Sequence, residues 1–168
     1  PHFGNNQTHI YIAIRRGTKV PESATDVFDV QTYTASTGTV RSRNFAPDML
    51  LGKSRTLGDS GVVTDRLRGF LSSNSNSSPS LFPALTNAEI NQYPDEYNVY
   101  NNSFTDGGYY NNYSLVKYAW KRAPSYMDCV AYLGNSTAGR TVSHNLGVAP
   151  EMMWIKGRSA AYDWVVYH

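Results

Sequence analysis

The chain has 168 residues and a formal charge of +2, with 17% charged residues beside 13 tyrosines, 13 glycines and one cysteine. That length allows one or two domains with a real core, and so small a charge excludes the basic face that phosphate backbones require, so nucleic acid is not an expected partner. A single cysteine excludes an internal disulfide framework and a cysteine-rich zinc site; no run approaches the roughly 18 apolar residues of a membrane-spanning helix, and residues 1–9 lack the pattern of a signal peptide. Polarity that comes mainly from hydroxyls and amides favours strands and turns over helices.

Taken in chain order, the elements are strands. Ile10, Ile12 and Ile14 alternate with Tyr11, Ala13 and Arg15, which is period 2 with one buried face. Phe28, Val30 and Thr32 repeat the scheme against Asp29, Gln31 and Tyr33, as do Val116, Tyr118 and Trp120 against Lys117, Ala119 and Lys121. The near-continuous apolar runs "DMLL" and "EMMWIK" predict central strands covered on both faces, and "DWVVYH" predicts another strand. The intervening "STGT", "GDSG", "SSNSNSSPS", "TDGGYYNN" and "NSTAG" are turn or loop chemistry. Only residues 84–93 could make a helical turn, since Thr86 and Glu89 have capping-box spacing. The expected fold is all-β, with antiparallel β-sandwich units in tandem.

The tandem reading comes from an internal repeat. "VFDVQTYTASTGTVRSRNFAPDMLLGKSR" (residues 27–55) aligns with "YMDCVAYLGNSTAGRTVSHNLGVAPEMMWIKGRS" (residues 126–159). This superimposes Asp29 on Asp128, Tyr33 on Tyr132, Asn44 on Asn145, Pro47 on Pro150, Met49 on Met152, Lys53 on Lys156 and Arg55 on Arg158. Upstream of each copy, "YIAIRR" (residues 11–16) resembles "KYAWKR" (residues 117–122), with Ala13 on Ala119. Residues 1–23 are expected to be the closing strand of a preceding unit plus a linker, 24–123 one complete unit, and 124–168 the opening strands of a following one. Neither end piece could bury a core alone. The expectation is a longer polypeptide, the alternative being that the end pieces complement each other or a neighbouring chain.

The succession "FDVQTYT…APDMLLGKSR…YSLVKYAWKRAP", followed by "NLGVAPEMMWIK" and "DWVVYH", resembles a repeated β-sandwich module of phage virion structural proteins, found in tail fibres and other appendages of marine and cyanobacterial phages. The resemblance covers most of the chain apart from residues 79–112. It implies a concanavalin A-like or jelly-roll-like sandwich on the virion exterior. It further implies a non-enzymatic role in self-assembly, commonly as a trimer, with other virion proteins and host surface glycans as partners. The first copy departs from it, reading "SRNF" where the second has "SHNLG". A carbohydrate-binding or polysaccharide-degrading sandwich module, and a capsid-surface decoration or head fibre, stay open as alternatives.

Sites are few. Ser143 and His144 are adjacent on an extended chain and so point to opposite faces, which suits a turn better than a nucleophile and its base. Asn44 and Pro47 in one copy, and Asn145, Gly147 and Pro150 in the other, are the expected turn residues. Asp29 and Asp128 are equivalent positions, not partners, and are expected on an outward face beside basic residues such as Arg122; Asp95, Glu96 and Asp106 form no glycosidase pattern. His2, His9, His144 and His168 lack ligand spacing, and no cofactor or metal is expected, although calcium held by backbone carbonyls leaves no residue pattern. Cys129 aligns with Val30 and reads as a small buried hydrophobe. The stretch with binding character is residues 97–114, where Tyr97, Tyr100, Asp106, Tyr109, Tyr110, Asn111, Asn112 and Tyr113 combine flat aromatic faces with directed hydrogen-bonding groups, suited to a glycan or to a subunit interface.

Overall fold

The computed structural model describes residues 20–70, 78–92, 96, 97, 99 and 101–168. The strand expected at residues 10–16, the residue Tyr100 and most of the serine-rich stretch lie outside these. The described chain is all-β, with no α-helix. Its strands are β1 (Phe28–Thr34), β2 (Val40–Ser42), β3 (Met49–Ser54), β4 (Val62–Asp65), β5 (Ser78–Ser80), β6 (Ile90–Gln92), β7 (Glu96–Tyr97), β8 (Ser103–Asp106), β9 (Ser114–Trp120), β10 (Met153–Ile155) and β11 (Val165–Tyr167). One 3-10 turn, Ala24–Asp26, precedes β1 and is closed by a reciprocal capping box between Ser23 and Asp26. The capping pair expected at Thr86 and Glu89 caps nothing. Two arginines hold the Glu89 carboxylate, and Lys156 Nζ donates to the Thr86 carbonyl.

The strands form a four-stranded sheet of order β1-β9-β3-β4, a three-stranded sheet of order β2-β8-β7, and the pairs β5-β6 and β10-β11. All ladders are antiparallel. In the first sheet β9 lies between β1 and β3, so Ala119 faces Asp29 on one side and Leu50 on the other. Leu50 and Ala119 then meet Phe45, Val99 and Phe104 in the main core, with Tyr33 and Phe70 packed against it. Burying such side chains contributes roughly 1.5–3 kcal/mol each.

The period-2 alternation is observed, but with the faces exchanged. On β9 the fully buried residues are Leu115, Lys117 and Ala119, while Val116, Tyr118 and Trp120 are half-buried. On β1 Val30 is 48% exposed, and Asp29, Gln31 and Tyr33 are partly buried. The polar set can face inward because its groups find partners. Arg43 donates to Asp29 at 2.5 Å, and Gln31 Nε2 donates to the Ser42 carbonyl at 2.9 Å. Lys117 lies across Gly52, where an added Cβ would stand 2.7 Å from Lys117 Cδ and Cε. The bare backbone of Gly52 leaves the room that the Lys117 side chain occupies in the interior.

The repeat reappears as register. Leu50 faces Thr64, Leu51 faces Val63 and Gly52 faces Val62 in β3–β4; Met153 faces Tyr167, Trp154 faces Val166 and Ile155 faces Val165 in β10–β11. The same sequence offset carries every member of the first set onto the second. It also carries Lys53, whose Nζ donates to the Asp59 carbonyl, onto Lys156, whose Nζ donates to the Tyr162 carbonyl at 2.7 Å. The environments differ, however. β3 is central and alternates buried residues with half-buried or exposed ones, whereas all three residues of β10 are exposed, so "EMMWIK" is not covered on both faces. Residues 128–133, which correspond to β1, form no ladder.

These equivalent positions should answer substitution differently. Leu50→Ala is expected to cost about 2–5 kcal/mol, because its cavity opens in the core, and Met153→Ala less than about 1 kcal/mol, with urea unfolding as the measurement.

Candidate functional site

The loop between β8 and β9, residues 107–113, is fixed against the β1–β2 turn. The Ala35 amide donates to the Tyr113 carbonyl at 2.9 Å, the Asn112 amide to the Ala35 carbonyl at 2.8 Å, and the Gly38 amide to the Asp106 carbonyl at 3.0 Å. The Thr37 amide donates to Asn111 Oδ1 at 3.1 Å. Asn112 adopts the left-handed conformation, φ +69°, in which asparagine is among the better-tolerated side chains. Tyr110 is the loop's anchor: it is 1% exposed, packs with Ala35 and Leu115, and donates its hydroxyl to Asp59.

This geometry divides the residues expected to bind. Tyr109 is 52% and Tyr113 38% exposed, and Asn111 and Asn112 are exposed beside them. Tyr109 stands edge-on to Tyr110, with ring centroids 4.7 Å apart. Asp106 and Tyr110 do not belong to the surface. Asp106 is 1% exposed, receives Arg41 Nη2 at 2.8 Å and the Ser36 amide at 3.1 Å, and serves the turn. Arg41 in turn lies 4.1 Å from the centroid of the Tyr33 ring. Tyr97 lies in β7 opposite Thr105.

The turn residues behave unequally. Pro47 is fully buried, Asn44 is exposed, and Pro150 is half-buried. Gly147 takes φ +76°, and the Asn145 amide donates to Asp128 Oδ2 at 2.8 Å. His144 Nδ1 accepts from the Leu146 amide at 3.3 Å, so the imidazole serves the turn, and Ser143 is exposed. Asp128 pairs with Arg122 at 2.5 Å, whereas Asp29 pairs inward with Arg43. Among the described residues no group of three or more His, Cys, Asp or Glu side chains is placed to hold a metal ion. Nor is any helix there long and apolar enough to cross a membrane.

Two apolar surfaces lie on strands that sequence reasoning marked but expected to be covered. One is the second face of the four-stranded sheet, where Phe28 and Trp120 lie 5.5 Å apart and Tyr118 stacks on Trp120 at 6.0 Å. The other is the C-terminal hairpin, where Met152, Trp154, Tyr162, Val165 and Tyr167 are all between 46% and 64% exposed. Their signal was present as strings of apolar residues, but a string does not say which face will be covered. Among the described residues the hairpin segment is tied to residues 82–89. Arg158 makes a two-pronged pair with Glu89 at 2.8 Å, and Trp164 Nε1 donates to the Phe82 carbonyl at 2.9 Å.

Residues 23–168 match the model of a family described as a domain of unknown function, DUF7483, and the chain belongs to that family. No curated protein and no solved structure matches the chain.

The titratable groups of this framework favour neutral pH. Burial pushes the Asp59 and Asp128 carboxyls upward, but hydrogen bonds from Tyr110, Lys53 and the Ser54 amide to Asp59, and from the Asn145 amide and Arg122 to Asp128, leave both below the ordinary carboxylate value. Hydrogen bonds from Arg158, and then Arg68, hold Glu89 low against its burial. A carboxylate whose folded pKa is lowered stabilises the fold fully above its unfolded value, near 4, and that stabilisation is lost as pH falls through the folded value. The urea midpoint is therefore expected to be flat from about pH 5 to 7 and to fall below about pH 4, with a shallower acid slope in Asp59→Asn. Cys129 is half-buried, not fully enclosed, and burial, with Asp65 nearby, pushes its thiol up to about 12. At pH 8 its reaction with a disulfide reagent is expected to be slower than that of free cysteine, measured by thiolate release.

Proposed function

We propose that this chain is a non-enzymatic structural protein of a bacteriophage virion, a tail-fibre or other external appendage component built from tandem antiparallel β-sandwich units. It works by assembling with copies of itself and other virion proteins, and by attaching to host surface glycans. The observation that carries this reading is the hairpin β10–β11, which repeats β3–β4 in register yet leaves its apolar residues exposed. A module that repeats its own framework and presents uncovered strands is suited to joining further modules, since large exposed apolar patches mark interaction sites. The phage assignment rests on the sequence resemblance described above.

Glycan attachment is supported by the exposed Tyr109, Asn111, Asn112 and Tyr113 on a loop held rigidly by Tyr110. Rigid aromatic faces with adjacent amides bind hydroxyl-rich surfaces at small cost in conformational entropy. The purified protein should form regular multi-subunit particles in negative-stain electron microscopy, joined through interfaces above roughly 1,000 Å²; monomers at all concentrations would count against the assembly role. On an array of bacterial surface polysaccharides, Tyr109→Ala combined with Tyr113→Ala should weaken binding about tenfold or more while leaving the melting temperature nearly unchanged. Binding equal to that of the parent protein would remove the loop from the attachment role.

A further inference from the structure

Among the described arginines, Arg55 stands apart. Arg41, Arg43, Arg66, Arg68, Arg122 and Arg158 each pair with a carboxylate. Arg140 donates to the Leu133 carbonyl. The Arg55 side chain is exposed and makes no ion pair, hydrogen bond or ring contact among the described residues. An exposed arginine needs no partner, but this one occupies a position of the framework whose second version shows what it can receive. The offset that carries β3–β4 onto β10–β11 carries Arg55 onto Arg158. Arg158 holds the Glu89 carboxylate by two bonds of 2.8 Å, Nε to Oε2 and Nη2 to Oε1. Such a fork matches a planar carboxylate in both spacing and charge.

Arg55 also lies beside the tyrosine loop. Its amide donates to the Ser114 carbonyl at 2.7 Å, and the Ser114 amide donates to Thr56 Oγ1 at 3.3 Å. Ser114 directly follows Tyr113 and faces Thr34 across the β1–β9 ladder, so strand alternation sets Arg55, Ser114 and Thr34 side by side on one face of the sheet. Tyr113, Thr34 and Thr56 are exposed there with Arg55. The nearby acids are withdrawn from this surface. The Asp59 side chain is 9% exposed and is held by Lys53, Tyr110 and the Ser54 amide. The Asp106 side chain is 1% exposed and is held by Arg41 and the Ser36 amide. An uncompensated cation therefore stands among hydroxyls and beside an outward tyrosine. We propose that the attachment site on the loop at residues 107–113 extends to Arg55 and is specific for acidic polysaccharides. The guanidinium grips a uronate carboxylate, while the neighbouring sugar ring meets Tyr113 and its hydroxyls meet Thr34 and Ser114. The proposal rests on the glycan reading of that loop and adds the charge of the ligand.

A carboxylate from another protein segment, in the manner of Glu89, is the competing occupant. The docking at Arg158 is completed by Trp164, whose Nε1 donates to the Phe82 carbonyl at 2.9 Å. The residue at the same offset beside Arg55 is Gly61, which has no side chain to offer. The protein-docking set is thus incomplete at Arg55, whereas its hydroxyl and tyrosine neighbours suit a sugar.

The array of bacterial polysaccharides tests it when alginate, polygalacturonate and dextran sulfate are added and every uronate-bearing member is also spotted in carboxyl-reduced form. Reduction turns each uronate into a neutral sugar and leaves the chain otherwise intact. The full chain should bind uronate-bearing members best and lose about fivefold or more in affinity on their reduction. Arg55→Ala should abolish that preference while keeping the weaker binding to reduced members and the melting temperature, because its side chain carries no bond in the fold. Arg55→Lys should recover only part of the preference, since an ammonium lacks the fork. Equal binding of uronate and reduced forms, or an unchanged preference in Arg55→Ala, would overturn the acidic specificity and leave the glycan reading standing. Dextran sulfate bound as tightly as the uronates would overturn carboxylate recognition in favour of charge alone. Binding to no member of the array removes both proposals, and a smaller oligomer in Arg55→Ala would then assign the arginine to a protein carboxylate.

Discussion

The backbone of β9 has to be hydrogen-bonded along both edges, and the rest of the structure depends on that. It sits between β1 and β3, with seven residues paired to one and six to the other. Buried backbone groups need partners, so neither neighbour is dispensable. Because β1 pairs with β9 although β2 to β8 lie between them in sequence, nothing closes until residues far apart meet, which places the fold among the slower, non-local topologies. Asp48 fastens the same end of the sheet: its amide donates to the Trp120 carbonyl at 2.7 Å, its carboxylate receives the Arg122 amide at 2.7 Å, and Arg66 pairs with it at 3.1 Å.

The interior that forms around this strand is unusually polar. Lys117, Asp106 and Arg43 are fully or almost fully buried, in company with Leu50, Phe104 and Ala119. Such groups are tolerated only where hydrogen bonds and opposite charges replace water. Arg41 with Asp106 and Arg43 with Asp29 meet this condition in part, since among the described residues Asp106 Oδ1 and the Arg43 Nε and Nη2 atoms are buried without a hydrogen-bond partner. The two arginines lie close to Tyr33 and Phe104 respectively. The same economy shapes the loop at residues 107–113: Tyr110 gives its ring to the core and its hydroxyl to Asp59, and that anchoring lets Tyr109 and Tyr113 stand outward without collapsing onto the sheet.

The C-terminal segment shows how far one framework can be repeated before its partner strands matter. The hairpin keeps its register and its lysine closure, because both are local to a few residues around one turn. The counterpart of β1, residues 128–133, forms no ladder. Its aspartate still finds a partner, since Asp128 accepts from Asn145 and Arg122, as Asp29 accepts from Arg43. A hairpin is thus encoded locally, whereas a strand such as β1 forms its ladder only with a partner distant in sequence.

Much of this was legible in the sequence. The period of two in Phe28–Thr34 and Ser114–Trp120, the repeat that aligns Met49 with Met152, and the turn at Gly147 follow from residue size, side-chain branching and backbone freedom, which act over a few bonds. Sequence by itself determined an all-β chain with a recurring framework and a tyrosine-rich loop. Only the tertiary structure decided which face of each strand turned inward: Lys117 is buried where it lies across Gly52, a partner distant in sequence. It also decided that Asp106 and Tyr110 are supports and that Tyr109 and Tyr113 are exposed, since burial depends on what a distant segment brings to the same place.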